Sequence, residues 1–207
     1  MRIIIAVPCM DQVPAQFASS LATLKKVGEC AVAFQIGSLI YAARNQLAVK
    51  GIEWGADYVM WFDSDMVFPA DTLEKLVALA EKEKGSIITG IYFKRVAPYA
   101  PVCYKHLSLG DTCEIEDIDE IPEEPFEVEG CGFGCVLTPV EALAGCVEQF
   151  GDMFSPINGI GEDLSFCWRA RQCGHKIIAD PSIYLGHVGH HTIDRQFYEG
   201  YTQVMRE

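Results

Sequence analysis

Residues 57–69 read DYVMWFDSDMVFP. From Tyr58 to Phe62 the run is wholly apolar, the pattern of a short strand buried on both faces. Its carboxyl end delivers Asp63 and Asp65, one residue apart. Ionised carboxylates at the margin of a core are costly unless positive charge meets them. The stretch therefore asks for a cation. In α/β sheets, ligands gather outside the carboxyl ends of the strands, and these two acids sit at such an end.

The flanking chain supports that architecture. RIIIAV (2–7) is a second apolar run, stopped by Pro8. VPAQFASSLATLKKVG (13–28) places Phe17, Leu21 and Leu24 on one helical stripe and closes at Gly28. CAVAFQIG (30–37) is strand-like. SLIYAARNQLAVKGIEWG (38–55) is helical, with Ser38 able to cap it. ADTLEKLVALAEKEKG (70–85) predicts a helix with Asp71 as N-cap and Glu74 completing a capping box. SIITGIYF (86–93) is a further strand. The order β-α-β-α-β-α-β predicts an α/β fold: a mostly parallel central sheet flanked by helices.

The second half is more mixed and predicts a smaller antiparallel part. APVCYK (100–105) and FEVEGCGFGCVLT (126–138) read as strands around an acidic insertion, residues 111–129, which holds ten acids and no Lys or Arg. That insertion reads as a solvated loop or hairpin. Helices follow over 139–151, where Pro139 suits a first turn, and over 161–175, opened by Glu162 and Asp163. Residues 176–191 are strand-like and end in histidines, and the tail from 194 is weakly helical. No repeat or long linker divides the chain, so one domain spanning 1–207 is expected.

The chain has 207 residues, 50% hydrophobic and 22% charged, which is globular composition with room for one core. No stretch approaches the roughly 20 apolar residues of a membrane span. The opening has only five apolar residues before Pro8 and reads as a strand, not a signal peptide. A cytoplasmic location is expected. The nine cysteines are odd in number and scattered, which favours free, mostly buried thiols over a disulfide framework. Cys131 and Cys135 in CGFGC lack metal or redox spacing. A net charge of −13 argues against nucleic-acid binding.

Four segments, AARNQLA, WFDSDMVFP, GCGFGCVL and GEDLSFCWRARQCGHKIIADPSI, occur in an order that resembles the family 2-like glycosyltransferases of the GT-A fold. The resemblance runs over nearly the whole chain and implies a single GT-A domain. Residues 1–95 would then be its nucleotide-sugar half and 96–207 its acceptor and catalytic half. It implies a divalent metal, Mn²⁺ or Mg²⁺, held more directly by Asp65, with Asp63 facing the ribose or reaching the metal through water and His187 as a third ligand. The physics agrees: a metal between carboxylates and a diphosphate stabilises the charge that develops as the glycosidic bond breaks, and mixed carboxylate and imidazole ligation favours Mn²⁺. A zinc site from His187, His190 and His191 lacks the usual spacing.

By the same resemblance Arg44 contacts the nucleotide, and Pro8, Cys9 and Met10 line base and ribose beside Ser64 of the D-x-D. Asp163 would act as general base next to Glu162, with the helix dipole depressing its pKa. The glycines of GCGFGC would let backbone approach the ligands. Trp61 and Trp168 read as core. One departure is the end of the second strand, where relatives often carry a base-reading acid and this chain has Gln35, Gly37 and Ser38. The donor is thus expected to be UDP- or GDP-linked and the acceptor a hydroxyl. Alternatives are a nucleotidyltransferase, disfavoured because PCMDQVPAQ lacks a Gly-rich basic phosphate loop, and an inactive sugar- or partner-binding module.

Overall fold

A computed structural model describes residues 1–37, 39–110, 112–189 and 192–206. The first half runs β1 (Arg2–Cys9), α1 (Ala15–Thr23), β2 (Glu29–Ile36), α2 (Ile40–Trp54), β3 (Tyr58–Phe62), β4 (Met66–Val67), α3 (Thr72–Lys82) and β5 (Ile87–Ile91). The second half begins with β6 (Cys103–Leu109), β7 (Cys113–Asp117), β8 (Phe126–Val128), β9 (Gly130–Cys131) and β10 (Cys135–Pro139). It ends with α4 (Val140–Phe150), α5 (Glu162–Gln172), β11 (Ile177–Tyr184), β12 (Gly186–Val188), β13 (Thr192–Ile193) and α6 (Arg195–Arg206).

Seven strands form the central sheet in the order β2-β1-β3-β10-β5-β11-β8. Strands β1, β2, β3, β5 and β11 run one way, while β10 and β8 run against them. The mostly parallel sheet expected from the sequence is present, with one rearrangement: β10 from the second half is inserted between β3 and β5. Along the central strands the pleat sorts side chains to two faces. Ile4, Ala6 and Trp61 join Phe133, Phe154 and Phe166 on one side. Ile3, Ile5 and Phe62 join Phe17, Phe68 and Leu76 on the other. Continuous apolar runs are what two covered faces require.

Other expectations are corrected in detail. FEVEGCGFGCVLT is not one strand but β8, β9 and β10, because the glycine turn breaks it. Asp71 stands at the N-cap of α3 without a side-chain cap bond; its carboxylate pairs instead with Lys75 at 3.1 Å and Glu74 pairs with Lys25. The proposed cap Ser38, the histidines His190 and His191, and Asp111 lie outside the described residues. Part of the acidic insertion, β7, forms an exposed hairpin strand against β6, whereas its end, β8, joins the edge of the central sheet with Val128 buried. Two lysines partly neutralise the insertion, Lys94 on Asp117 and Lys105 on Asp119. All nine cysteines are free, and five are buried. Among the described residues no helix is long and apolar enough to cross a membrane.

Two features build the site. The carboxyl ends of β1, β2, β3 and β5 meet at one edge of the sheet. Beside them a small sheet, β13-β12-β4, pairs His187 with Met66 and lets the Val188 N–H donate to the Asp65 carbonyl at 2.8 Å. That pairing sets His187 next to the acids across 122 residues of chain.

Candidate active site

One cleft of about 330 Å³ is lined by Pro8, Cys9, Met10, Arg44, Asp63, Ser64, Asp65, Glu162 and His187. Every residue expected at the nucleotide and metal from the sequence is therefore in one place. Gly37, Ile40 and Arg95 complete the lining.

Arg44 is the organising cation. It faces inward from α2, is 2% exposed, and lies over the rings of Phe133 and Trp61. Its Nη2 donates to Asp63 Oδ1 at 2.7 Å and its Nε to Glu162 Oε1 at 3.1 Å. Burial opposes its charge, but the two carboxylates outweigh that and hold its pKa above the ordinary value. The third nitrogen, Nη1, is buried and has no hydrogen-bond partner among the described residues. A buried, unpartnered guanidinium N–H is costly and fits a site that receives an acceptor oxygen from a ligand or water. Asn45 does something different: it bonds Asp152 and the Phe154 N–H, tying α2 to the loop before α5.

Asp65 meets two other groups. Arg95 Nη1 lies 2.9 Å from its Oδ2, and His187 Nε2 lies 3.5 Å from the same oxygen. His187 Nδ1 is 2.9 Å from the Phe93 carbonyl. A carbonyl only accepts, so Nδ1 carries a proton; Nε2 faces Asp65, donating to it when the ring is doubly protonated and offering a lone pair to a metal when it is not. Burial pushes the Asp65 pKa up, yet the hydrogen bond and charge of His187, with Arg95, bring it below the ordinary value.

These residues fit a divalent cation. The donor atoms of Asp65 and His187 are separated by 3.5 Å, about the span of adjacent ligands around one ion with bonds of about 2.0–2.2 Å. The carbonyl bond at Nδ1 is the outer-shell partner typical of a metal-bound histidine. Among the described residues no group of three or more His, Cys, Asp or Glu could hold a metal unaided. Further ligands would come from substrate oxygens and water, as is usual where a cation serves phosphates.

Asp163 lies beside this cleft at the start of α5. Its pKa is raised to about 6, first by burial and then by Glu162, against the Leu164 N–H bond and the Arg44 charge. The expected dipole-depressed value is thus corrected. The Leu164 N–H donates to Asp163 Oδ1 at 2.7 Å, but burial and a neighbouring carboxylate prevail. A carboxylate near 6 is a better base at neutral pH than one near 4.

Sequence reading missed two residues. Tyr92 is buried at the end of β5, and its hydroxyl accepts from the Gly134 N–H at 3.2 Å. Burial, then Asp63 and Asp163, push its pKa well up, so the phenol stays protonated. The GCGFG turn wraps it closely, for a Cβ at Gly132 would collide with the Tyr92 hydroxyl. That is why glycine stands there. Arg95 is the second. FKR after an apolar strand was the available signal, since β5 ends on the same sheet edge as β1 and β3. Trp61 is core, as expected, bonding Thr138 Oγ1 through its indole N–H; Trp168 packs on Phe150.

Residues 41–130 match the family described as Glycosyl transferase family 2, a span that includes Arg44, Asp63 and Asp65 but stops before Glu162, Asp163 and His187. No curated protein matches the chain in sequence. Among solved structures, A197 from STIV superposes with a TM-score of 0.65 at 19% identity, over 91% of this chain and 86% of that one. GalNAc-T7, solved with UDP, GalNAc and Mn²⁺, superposes with a TM-score of 0.61 at 10% identity, over 99% of this chain and 48% of that one. This chain thus spans about half the length of GalNAc-T7. At such identities the likeness is one of fold.

Proposed function

We propose that this chain, whose fold is GT-A and family 2-like, is a metal-dependent glycosyltransferase that moves a sugar from a nucleoside diphosphate sugar to a hydroxyl acceptor. The observation that carries this reading is the gathering of Asp63, Asp65, His187 and Arg44 around one cleft, with a base of raised pKa, Asp163, beside it. The UDP and Mn²⁺ of GalNAc-T7 support the same donor chemistry here.

In this reading the nucleoside lies along Pro8, Cys9 and Met10, with the diphosphate directed to the Asp63–Asp65 edge. A bound Mn²⁺ or Mg²⁺ would supply Lewis-acid stabilisation of the departing diphosphate. Asp65 and His187 would hold it, with Asp63 oriented by Arg44. The buried Nη1 of Arg44 donates to a donor oxygen or an intervening water. The acceptor hydroxyl approaches from the Asp163 side, and Asp163 takes its proton as the new bond to the sugar forms. Attack opposite the leaving diphosphate inverts the anomeric centre. The backbone of residues 130–134, kept free of side chains over Tyr92, lets sugar and acceptor come close. The first half of the chain supplies Arg44 and the two acids of the donor side, and the second half supplies Glu162, Asp163 and His187.

The test is a thermal-shift panel of UDP and GDP with Mn²⁺, Mg²⁺ or EDTA. At about 100 times Kd, binding adds about 2.7 kcal/mol, or a rise in Tm of roughly 5–10 °C for a chain of this size. The rise should need the metal. Equal shifts in EDTA, or none with any nucleotide, would remove the proposal.

A further inference from the structure

Arg44 and Arg95 both neutralise acids of the D-x-D, yet they are held very differently. Arg44 is 2% exposed, stacked on two rings and bonded to two carboxylates, so it cannot leave Asp63 without opening the core. The Arg95 side chain is 49% exposed. Its contacts are Asp65 Oδ2 at 2.9 Å and the Val188 carbonyl at 3.2 Å. It stands in the loop closed by the bridge of Phe93 to Pro101, where the Lys94 N–H bonds the Ala100 carbonyl and the Lys94 ammonium bonds Asp117. Those bonds fix the base of the loop and leave the guanidinium free to turn.

The oxygen it holds is decisive. Asp65 Oδ2 is also the atom that faces His187 Nε2 at 3.5 Å, so Arg95 sits on the donor atom that a divalent cation would need. A guanidinium and a divalent cation on one carboxylate oxygen would set like charges a few ångström apart, with little bulk water between them to screen the repulsion.

Resting on the glycosyltransferase reading of this cleft, we propose that Arg95 is an exchangeable counter-cation: it neutralises Asp65 in the metal-free protein, yields that oxygen to the metal, and turns its guanidinium to the incoming diphosphate. The cleft is already lined by Arg95, so the swing is short. A guanidinium fork meets phosphate oxygens in bidentate fashion. Two consequences follow. Metal alone binds weakly, because it must displace Arg95 and leave it without an anion. Nucleoside diphosphate strengthens metal binding beyond direct coordination, because it gives the displaced guanidinium a partner. Arg95 is thus a positioning residue that couples the two ligands.

The experiment follows free Mn²⁺ by its electron paramagnetic resonance signal, titrated into the full chain with and without UDP, and with GDP in parallel. The variants are Arg95→Gln, neutral and of similar length, and Arg95→Lys, which keeps the charge. With Mn²⁺ alone, Arg95→Gln should bind roughly three- to ten-fold more tightly than wild type, from loss of an exposed ion pair and of charge repulsion. In the same variant the strengthening by the nucleotide should shrink by a comparable factor, while Arg95→Lys stays near wild type for Mn²⁺ alone. A purely structural role would weaken both titrations together. Unchanged or weaker binding of Mn²⁺ alone by Arg95→Gln overturns the proposal, as does undiminished strengthening by the nucleotide. Should wild type bind no Mn²⁺ even with UDP or GDP, the glycosyltransferase reading itself fails. The two failures are therefore separable.

Discussion

Asp163→Asn should make the protein more stable and nearly inactive at once. In the folded chain this carboxyl titrates at about 6 against 3.8 unperturbed, with burial first and Glu162 second among the causes. Between those values the folded state binds a proton that the unfolded state has lost. Stability therefore falls as pH rises through this window, and the whole cost stands above it. Two units correspond to about 3 kcal/mol, less what the half-buried position recovers through water. Asparagine removes the charge but keeps an oxygen for the Leu164 N–H. It gives up a favourable interaction with the helix dipole worth about 0.3–1 kcal/mol. The net gain at pH 8 is then about 1–2 kcal/mol, a rise in Tm of roughly 2–8 °C. The gain should shrink to a small part of its pH 8 value by pH 4, where the folded carboxyl is neutral and the unfolded one only partly ionised. Urea or thermal melts at pH 4, 6 and 8 measure this. Turnover should fall by about 10²–10⁴ with nucleotide affinity held, and wild-type turnover should rise with pH through about 6. A variant less stable than wild type at pH 8, or a gap that ignores pH, would refute the reasoning, and full turnover would reduce Asp163 to a helix-end acid.

Asp65→Ala should abolish metal-dependent nucleotide binding while the fold persists, because the Arg95 it leaves behind is half-exposed and can be solvated; calorimetric titration checks both points. His187→Ala should raise the Mn²⁺ needed for half-maximal activity, and an unchanged requirement would place the metal elsewhere. Gly132→Ala should destabilise by about 1–3 kcal/mol, because its Cβ would collide with the buried Tyr92 hydroxyl; denaturant melts showing no loss would mean the turn can yield.

The sequence made the strands of the first half legible, because burial on both faces leaves an apolar run that needs no partner to be seen. β1, β3 and β5 were found this way. The place of β10 was not legible, since pairing order depends on contacts far apart in the chain, such as Val136 with Thr89 and Val136 with Trp61. Asp63 and Asp65 declared themselves as charges at the end of a buried strand. Arg44 gave a weaker signal, and its double pairing could be seen only once the fold brought Glu162, at the start of α5, to α2. For Asp163 the helix dipole is local and visible in sequence, while the burial that outweighs it is tertiary. Tyr92 was read as part of a strand, and only the tertiary fold reveals that its hydroxyl is buried under the glycine turn.

The most direct measurement is a crystal structure of the chain grown with Mn²⁺ and UDP or GDP, with the ion located by its anomalous scattering. The account predicts one Mn²⁺ bound by Asp65 and His187 Nε2, the diphosphate on its far side, and Arg95 moved from Asp65 to a phosphate. An ion bound away from both residues, or a nucleotide outside the cleft of Pro8, Arg44 and Asp63, would contradict it.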